Sequence, residues 1–269
     1  MRIDVHTHCD SIDPKEVRQF VEVCRQRRMK TCIFSVGPRS DHPYIPNEEV
    51  LSTAKKHHDV LIPFAIVDQT DKDNHLDILA LREAGFKGLK CTSPYYAYDH
   101  DLYMPIYEEA QKLKMPIVFH TGRYRANPGD QLRQRPSIRN MQPLTLDRVA
   151  RSFPDLKIIM AHLGTSLFRR EAADLLRLHP NLYADLAGSG SWKALSSDEL
   201  AQLLKPPVPG GGPEFRYFEQ LLLGSDAYTS IPHLMEESQG CYENLLTSIG
   251  VPESIQKKIM GDTVASWMT

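Results

Sequence analysis

The sequence lacks a long apolar run and an excess of charge of one sign. No stretch approaches the ~20 apolar residues that span a bilayer, and the formal net charge of the 269-residue chain is only -2. Such a chain has no overall field that would hold nucleic acid or an anionic membrane. The first residues also lack the charged and apolar regions of a secretion signal. We therefore expect a cytoplasmic protein that acts on a small molecule, either alone or as a homo-oligomer.

Paired cysteines and several widespread catalytic motifs are missing too. The five cysteines are odd in number and form no Cys-x-x-Cys pair, so we expect reduced thiols rather than a disulfide framework. Gly210-Gly211-Gly212 is not followed by the Lys-Ser/Thr of a phosphate-binding loop. The chain contains neither Gly-x-Ser-x-Gly nor His-Glu-x-x-His. The sequence therefore lacks the motifs on which the mechanisms of serine hydrolases and zincins depend.

What the chain does contain is a regular alternation of short β-rich runs and longer helix-like segments. This alternation is typical of parallel βα units, and 269 residues suit a closed barrel of about 250 residues. We predict a single-domain (β/α)8 TIM barrel over residues 1–269. Its predicted strands cover residues 3–6, 31–36, 60–65, 86–90, 116–120, 157–162, 182–185 and 220–224.

Helix signals fill the intervals between these strands. Asp13 and Pro14 mark the start of a helix over residues 14–27, whose apolar side chains recur at helical spacing. Segments 235–248 and 252–260 are expected to complete the helical ring. Residues 122–143 form a long polar excursion that we interpret as a lid-like loop, and residues 206–213 form a hinge-like loop.

Metal-ligand residue types stand at the ends of four predicted strands. His6 and His8 end the first strand and, at i and i+2, point to one face. His120 and His162 end the fifth and sixth strands and Asp226 lies just past the eighth, and these strand ends meet at the active-site face of a barrel. A mixed imidazole and carboxylate set suits one divalent cation, with Zn²⁺ favoured. Each residue alone also fits a plain role, as a buried strand-end histidine or a helix-capping aspartate.

These residues and their surroundings resemble the amidohydrolase superfamily, in the amidohydrolase-related branch that includes aminocarboxymuconate-semialdehyde decarboxylase. The resemblance covers nearly the whole chain, through His6-Thr7-His8, Gly85–Lys90, Val118–Gly122, Met160–Gly164, Leu223–Asp226 and Ile259–Ala265. It implies that His6, His8, His120 and Asp226 bind the metal and that His162 acts on substrate or water. The closing segment has Gly261-Asp262-Thr263-Val264 where the family usually has Gly-x-Asn-Ala.

The chemistry leaves several assignments open. Asp226 is either a ligand or a general base, and His162 could relay a proton or orient the substrate. The resemblance to binuclear relatives implies that Lys90 could be carbamylated and bridge a second metal, whereas the plain alternative is a surface or salt-bridged lysine. We favour an unmodified lysine near the site, where its ammonium group could bind a substrate anion. Arg123 is the preferred anion-binding residue in an excursion that also contains Arg125, Arg133, Arg135 and Arg139. A solvated run of charge is the alternative interpretation of these arginines. Tyr95, Tyr96 and Tyr98 fit either an aromatic wall or ordinary loop packing.

Together these features predict a metal-dependent hydrolase that attacks an ester, lactone or amide of a small anionic substrate through metal-activated water. The alternative within the same resemblance is non-oxidative decarboxylation of an aromatic or unsaturated acid. A second alternative, from a different class, is a catalytically silent barrel whose metal is structural.

Overall fold

The strands of the computed structural model follow the predicted order along the chain. The structure describes residues 1–37, 42–69, 77–124, 137–188, 192–205 and 213–268. Within these ranges the strands are β1 (Arg2–Cys9), β2 (Met29–Ser35), β3 (Leu61–Asp68), β4 (Gly88–Thr92), β5 (Ile117–Phe119), β6 (Ile158–Met160), β7 (Leu182–Asp185), β8 (Leu221–Leu222) and β9 (Ala227–Tyr228).

All of these strands pair in parallel, in the order β8-β7-β6-β5-β4-β3-β2-β1-β9. β8 and β9 lie in one short stretch of chain, residues 221–228, which pairs with β7 at its start and with β1 at its end. Between the two strands, the Val5 amide donates to the Leu223 carbonyl at 2.9 Å. The stretch therefore closes the sheet on itself, and the predicted (β/α)8 barrel is confirmed.

Helices connect the strands. They are α1 (Pro14–Gln26), α2 (Asn47–Lys56), α3 (Ile78–Ala84), α4 (Met104–Lys112), α5 (Leu146–Ser152), α6 (Thr165–Leu178), α7 (Ser197–Leu204), α8 (His233–Ile249), α9 (Glu253–Lys257) and α10 (Thr263–Ala265). α1 begins as predicted, because the Asp13 side chain accepts hydrogen bonds from the Lys15 and Glu16 amides. Its buried face is Val17, Phe20, Val21 and Cys24. No helix within the described ranges is both long and apolar enough to cross a membrane.

Two separate hydrophobic clusters result from the alternation of side chains along the strands. The smaller one fills the barrel and takes side chains from several strands in turn, including Val5, Phe34, Phe64, Val118 and Ile159. The larger one lies between the outside of the sheet and the helices. The interior below the strand ends is therefore packed with side chains rather than open.

The two interruptions predicted from the sequence fall largely outside the described residues. Residues 125–136 of the lid-like segment and 206–212 of the hinge-like segment are not described. The described end of the first segment forms two short 3₁₀ turns, Ile138–Met141 and Pro143–Thr145. The Gly122 amide donates to the Met141 carbonyl at 3.2 Å, which ties the two ends of this excursion together.

Candidate active site

Three of the predicted metal ligands converge where the first strand meets the closing stretch. His8 Nε2 lies 3.1 Å from Asp226 Oδ1, and His6 Nε2 lies 3.4 Å from the same oxygen. The ligand atoms of this group all lie within 4.8 Å of one another. A backbone hydrogen bond of 2.8 Å from the Asp226 amide to the His6 carbonyl fixes the two chain segments side by side.

An irregularity in β1 directs the two histidines inward. The pairing register with β2 shifts between Asp4 and Thr7, which inserts one extra residue into β1. Val5 packs in the barrel interior beside Phe34. The next residue, His6, faces the interior as well, because its ring lies against Phe34 with centroids 5.4 Å apart. The bulge thus changes the alternation so that the interior face passes from an apolar residue to the metal-ligand pair.

Left-handed backbone at the strand ends directs the other side chains. His162 follows β6 with φ of 66°, and Asp226 lies between β8 and β9 with φ of 61°. Such conformations are uncommon for residues other than glycine and cluster at functional sites. Gly188, with φ of 88°, follows β7 at a point where a Cβ atom would lie 3.0 Å from Asp226 Oδ2 and 3.4 Å from His162 Nδ1. The site therefore requires glycine there for both conformation and space.

Each of the four histidines donates one ring N–H to an acceptor beside the site. His6 Nδ1 lies 3.0 Å from Asp185 Oδ2, and His8 Nδ1 lies 3.2 Å from the Ser35 carbonyl. The partners of His120 Nε2 and His162 Nδ1 are the carbonyls of Arg123 at 3.2 Å and Ala187 at 2.9 Å. Because carbonyl and carboxylate oxygens only accept, these contacts fix which nitrogen of each neutral ring carries the proton.

In the neutral form of each ring, the other nitrogen presents a lone pair to the site. His162 Nε2 faces His120 Nδ1 at 3.2 Å, while His6 and His8 face the Asp226 carboxylate. Two acceptors at such distances repel each other unless a proton or a cation satisfies both. Metal–nitrogen bonds of ~2.0–2.1 Å in tetrahedral geometry place neighbouring ligand atoms about 3.3–3.4 Å apart. The observed spacings suit residues that share a cation.

The ionisation of these groups favours the same conclusion. Burial lowers the pKa of His6 well below its ordinary value, and the nearby Lys90 charge lowers it further. Burial also lowers the pKa of His120, and the proximity of His162 and Lys90 lowers it further. Burial alone would raise the pKa of Asp226, but the surrounding histidines, His8 first among them, outweigh it and hold that pKa well below its ordinary value. Neutral imidazoles and a carboxylate are the forms that bind metals.

A second group shares His6 with the first. His6, His162 and Asp185 also offer ligand atoms within 4.8 Å of one another. His120 belongs to neither group and reaches the site through its contact with His162. The structure therefore brings three of the four predicted ligands together and places the fourth beside the predicted acid-base histidine. With two imidazoles and a carboxylate at its centre, the donor set fits a divalent cation such as Zn²⁺.

Lys90 lies within this cluster, as the sequence predicts. Its side chain is buried, and Nζ lies 3.1 Å from His6 Nε2 and 4.9 Å from the centre of the Phe34 ring. Burial lowers the pKa of Lys90 to about 8, although the charges of Asp185 and Asp226 oppose the shift. A substantial fraction of its amine is therefore neutral near pH 8 and able to accept a hydrogen bond or a covalent modification.

The structure describes only some of the other predicted substrate-binding residues. Arg123 is exposed, and its described contacts are made by its backbone, with His120 and Thr165. Arg125, Arg133 and Arg135 lie outside the described residues, whereas Arg139 is exposed. Tyr98 is buried and donates to the His120 carbonyl at 2.8 Å, so it supports the backbone that carries His120. Tyr95 and Tyr96 stack edge to face, with ring centres 4.7 Å apart, in the loop after β4.

Asp185 contacts the candidate site but is not among the residues predicted from the sequence. It is fully buried at the end of β7 and accepts hydrogen bonds from the His162 amide at 2.7 Å and the Ala187 amide at 2.9 Å as well as from His6. Burial raises the pKa of Asp185, and these contacts together with the neighbouring Lys90 oppose that shift. The signal was present, since a carboxylate at a strand end follows the same pattern as Asp226.

Comparisons with known proteins agree with this fold. A family model described as amidohydrolase matches residues 3–265. An uncharacterised TIM-barrel protein from Bordetella bronchiseptica has 16% identity and a TM-score of 0.71, with 99% of this chain and 97% of that chain covered. A probable 2-pyrone-4,6-dicarboxylic acid hydrolase from Acinetobacter baumannii, solved with citric acid bound, has 12% identity and a TM-score of 0.63, with 99% and 98% covered.

A third similar structure contains a metal. It is a dihydroxybenzoic acid decarboxylase from Polaromonas sp. with bound manganese and the inhibitor 2-nitroresorcinol, with 14% identity, a TM-score of 0.57, and 99% of this chain and 96% of that chain covered. No curated protein sequence matches this chain. At these identities the structural comparisons show a shared fold, and the chemistry has to be argued from the site itself.

Proposed function

Because the chain belongs to the amidohydrolase family, we propose that it is a metal-dependent hydrolase that cleaves an ester, lactone or amide bond of a small anionic substrate. The observation that carries the proposal is the convergence of His6, His8 and Asp226 with their acceptor atoms turned toward one another. A bound divalent cation would supply a Lewis acid that lowers the pKa of water toward ~7 and polarises the scissile carbonyl.

The protein residues have separable tasks in this proposal. His6, His8 and Asp226 hold the cation, and we favour Zn²⁺ and a single ion. Asp185 and the Ser35 carbonyl orient the two imidazoles through the hydrogen bonds at Nδ1, which keeps each Nε2 lone pair directed at the site. A similar structure contains manganese, so metal analysis is part of the test.

Proton transfer is assigned to His162 and its neighbour. The Nε2 atom of His162 is the acceptor that faces His120, while its Nδ1 is occupied by the Ala187 carbonyl. His162 can thus take a proton from water at Nε2 and share it with His120 Nδ1. Asp226 contacts both ligand imidazoles through Oδ1, which favours its ligand role over its role as a base.

The buried charge of Lys90 is the reason to expect an anionic substrate. Lys90 is the buried cation nearest the convergence of ligands, 3.1 Å from His6 Nε2. A carboxylate on the substrate would compensate the ammonium form, because a buried charge needs a partner. Arg123 supplies a second cation at the rim, at the start of the excursion after β5. We keep both residues as proposed substrate contacts.

The test combines metal analysis with a panel of anionic esters, lactones and amides. We expect about one ion per chain in the wild type, hydrolysis that stops on chelation and recovers with Zn²⁺, and loss of both metal and turnover in His8→Ala. His233→Ala changes an exposed histidine on α8 and should retain both. Full hydrolysis without bound metal would contradict the proposal. Carbon dioxide release from aromatic acids without hydrolysis of any panel member would also contradict it and would identify a decarboxylase. A metal that is needed only for folding would contradict it as well.

A further inference from the structure

Three stacked aromatic rings lie beside the ligand group, at the end of β1. The Tyr228 ring stacks on His8, with centroids 5.1 Å apart and planes 22° apart. His42, from the segment between β2 and α2, stacks on Tyr228 with centroids 4.1 Å apart and planes 16° apart. We call His8, Tyr228 and His42 the ring stack. It connects a metal ligand to a histidine that lies outside the ligand group.

A buried carboxylate anchors the far end of the ring stack. Asp10 is only 4% exposed and accepts a hydrogen bond from His42 Nδ1 at 3.0 Å. It also accepts from Thr229 Oγ1 at 2.9 Å and from the Ser230 amide and hydroxyl at 3.1 Å and 2.5 Å. Donors on several sides fix the carboxylate. The position of the His42 ring is therefore set by Asp10.

The anchor is built on the same two chain segments as the metal ligands. Asp10 follows β1, which carries His8, and Thr229 follows β9, which pairs with β1. The Thr229 amide donates to the His8 carbonyl at 2.9 Å, and the amides of Asp10 and Ser11 donate to Thr229 Oγ1. The ring stack and its anchor therefore form one connected unit with the ligand-bearing backbone.

His8 depends on packing more than His6 does. The Nδ1 atom of His6 is held by a fully buried carboxylate at 3.0 Å, whereas the Nδ1 atom of His8 has a single carbonyl partner at 3.2 Å. The His8 ring is enclosed by Phe34, edge to face at 4.9 Å, and by Tyr228. Removing support from Tyr228 would free the ring to rotate away from the orientation in which Nε2 points at Asp226.

We infer that His42 is a positioning residue for the metal ligand His8, acting through the Tyr228 ring and held in place by Asp10. The inference rests on the proposed metal site and adds a residue that touches neither substrate nor cation. Its role is to restrict the rotation of His8, so its loss should change the affinity and the geometry of metal coordination rather than the folding of the barrel.

The experiment measures Zn²⁺ affinity by chelator competition and coordination geometry from the visible spectrum of the Co²⁺-loaded chain. His42→Ala should weaken Zn²⁺ binding about two- to tenfold, the range of one aromatic pair, and should alter the Co²⁺ spectrum. His42→Asn, which keeps a polar group near Asp10 without a ring, should show the same loss and covers the case in which the alanine variant does not fold.

His100→Ala is the matched control. His100 stacks on Tyr96 with centroids 4.1 Å apart and planes 12° apart, nearly the same geometry, in the loop after β4. It should change neither the affinity nor the spectrum. Combining His42→Ala with Tyr228→Ala should cost no more affinity than Tyr228→Ala alone, because both changes act through one ring.

The outcomes separate this inference from the proposed function. If the wild type binds Zn²⁺ through His8 and both His42 variants match it in affinity and spectrum, the positioning role is wrong while the metal site stands. Equal losses in His100→Ala would also overturn the positioning role, because the effect would not be specific to the ring stack. If His8→Ala does not change Zn²⁺ or Co²⁺ binding, both the metal site and the role of His42 are wrong.

Discussion

Asp185→Asn is the substitution that most directly tests how the site controls its histidines. The carboxylate accepts two backbone amides at Oδ1, at 2.7 Å and 2.9 Å, and the His6 ring at Oδ2, at 3.0 Å. An asparagine can keep both amide bonds only with its oxygen on the Oδ1 side. Its NH₂ group then faces His6 Nδ1, which must become an acceptor and move its proton to Nε2. The lone pair that the site needs would be lost.

The alternative orientation of the amide is less favourable. It would place NH₂ against two buried N–H donors, which forfeits two hydrogen bonds and leaves the donors unsatisfied at about 1–3 kcal/mol each. We therefore expect the tautomer change to win and metal affinity to fall about 10- to 100-fold, or ~1.4–2.7 kcal/mol. Chelator competition with Zn²⁺ measures the affinity, and ¹⁵N shifts of the His6 ring in the metal-free chain report the tautomer.

Asp147→Asn serves as the control for this substitution. Asp147 accepts from His179 Nε2 at 2.8 Å, a similar Asp–His contact on α5 that has no described contact with the candidate site. It should leave Zn²⁺ affinity unchanged. An Asp185→Asn chain that binds Zn²⁺ within twofold of the wild type would refute the argument that Asp185 sets the tautomer of His6.

Two further predictions concern space and ionisation. Gly188→Ala, at φ of 88° with a Cβ 3.0 Å from Asp226 Oδ2, should weaken Zn²⁺ binding at least tenfold; equal affinity by chelator competition would show that the loop yields. Asp4 has a pKa raised to about 7, because burial disfavours its charge more than hydrogen bonds from Ser225 and His6 favour it. The native chain therefore keeps a proton that the unfolded chain loses near pH 4, so this group makes stability fall by ~1.4 kcal/mol per pH unit between about pH 4 and 7. Asp4→Asn should remove that slope in urea titrations, and an unchanged slope would contradict the pKa assignment.

The barrel and most strand positions follow from local sequence patterns. The apolar runs that precede His120 and His162 are short, β-rich and flanked by helix signals, so the sequence predicts that these runs form β5 and β6. The exact residues at which these strands end are harder to predict from the sequence. His120 and His162 lie just past β5 and β6. The left-handed backbone at His162 and the shortness of β5 depend on tertiary packing, which the local sequence pattern does not contain.

The hydrogen-bond partners of the site residues could be identified only from the three-dimensional structure. Asp185 was visible as a strand-end carboxylate, but its contact with His6 joins residues 179 positions apart. The anchor between Asp10 and His42 has no signature in spacing, because it depends on the path of the segment after β2. Sequence patterns indicate which residue types end a strand, whereas the hydrogen bonds that fix a tautomer or a ring depend on three-dimensional neighbours.

The seam of the barrel has a consequence for how the chain unfolds. Asp226 belongs to the stretch of chain that completes the ring, and His6 and His8 belong to the strand onto which that stretch closes. An ion shared by these three residues would join the first and last strands of the sheet, so opening the ring would require the ion to leave. Local opening at the seam and metal release would then be one event, and the rate of metal exchange would report how often the barrel opens.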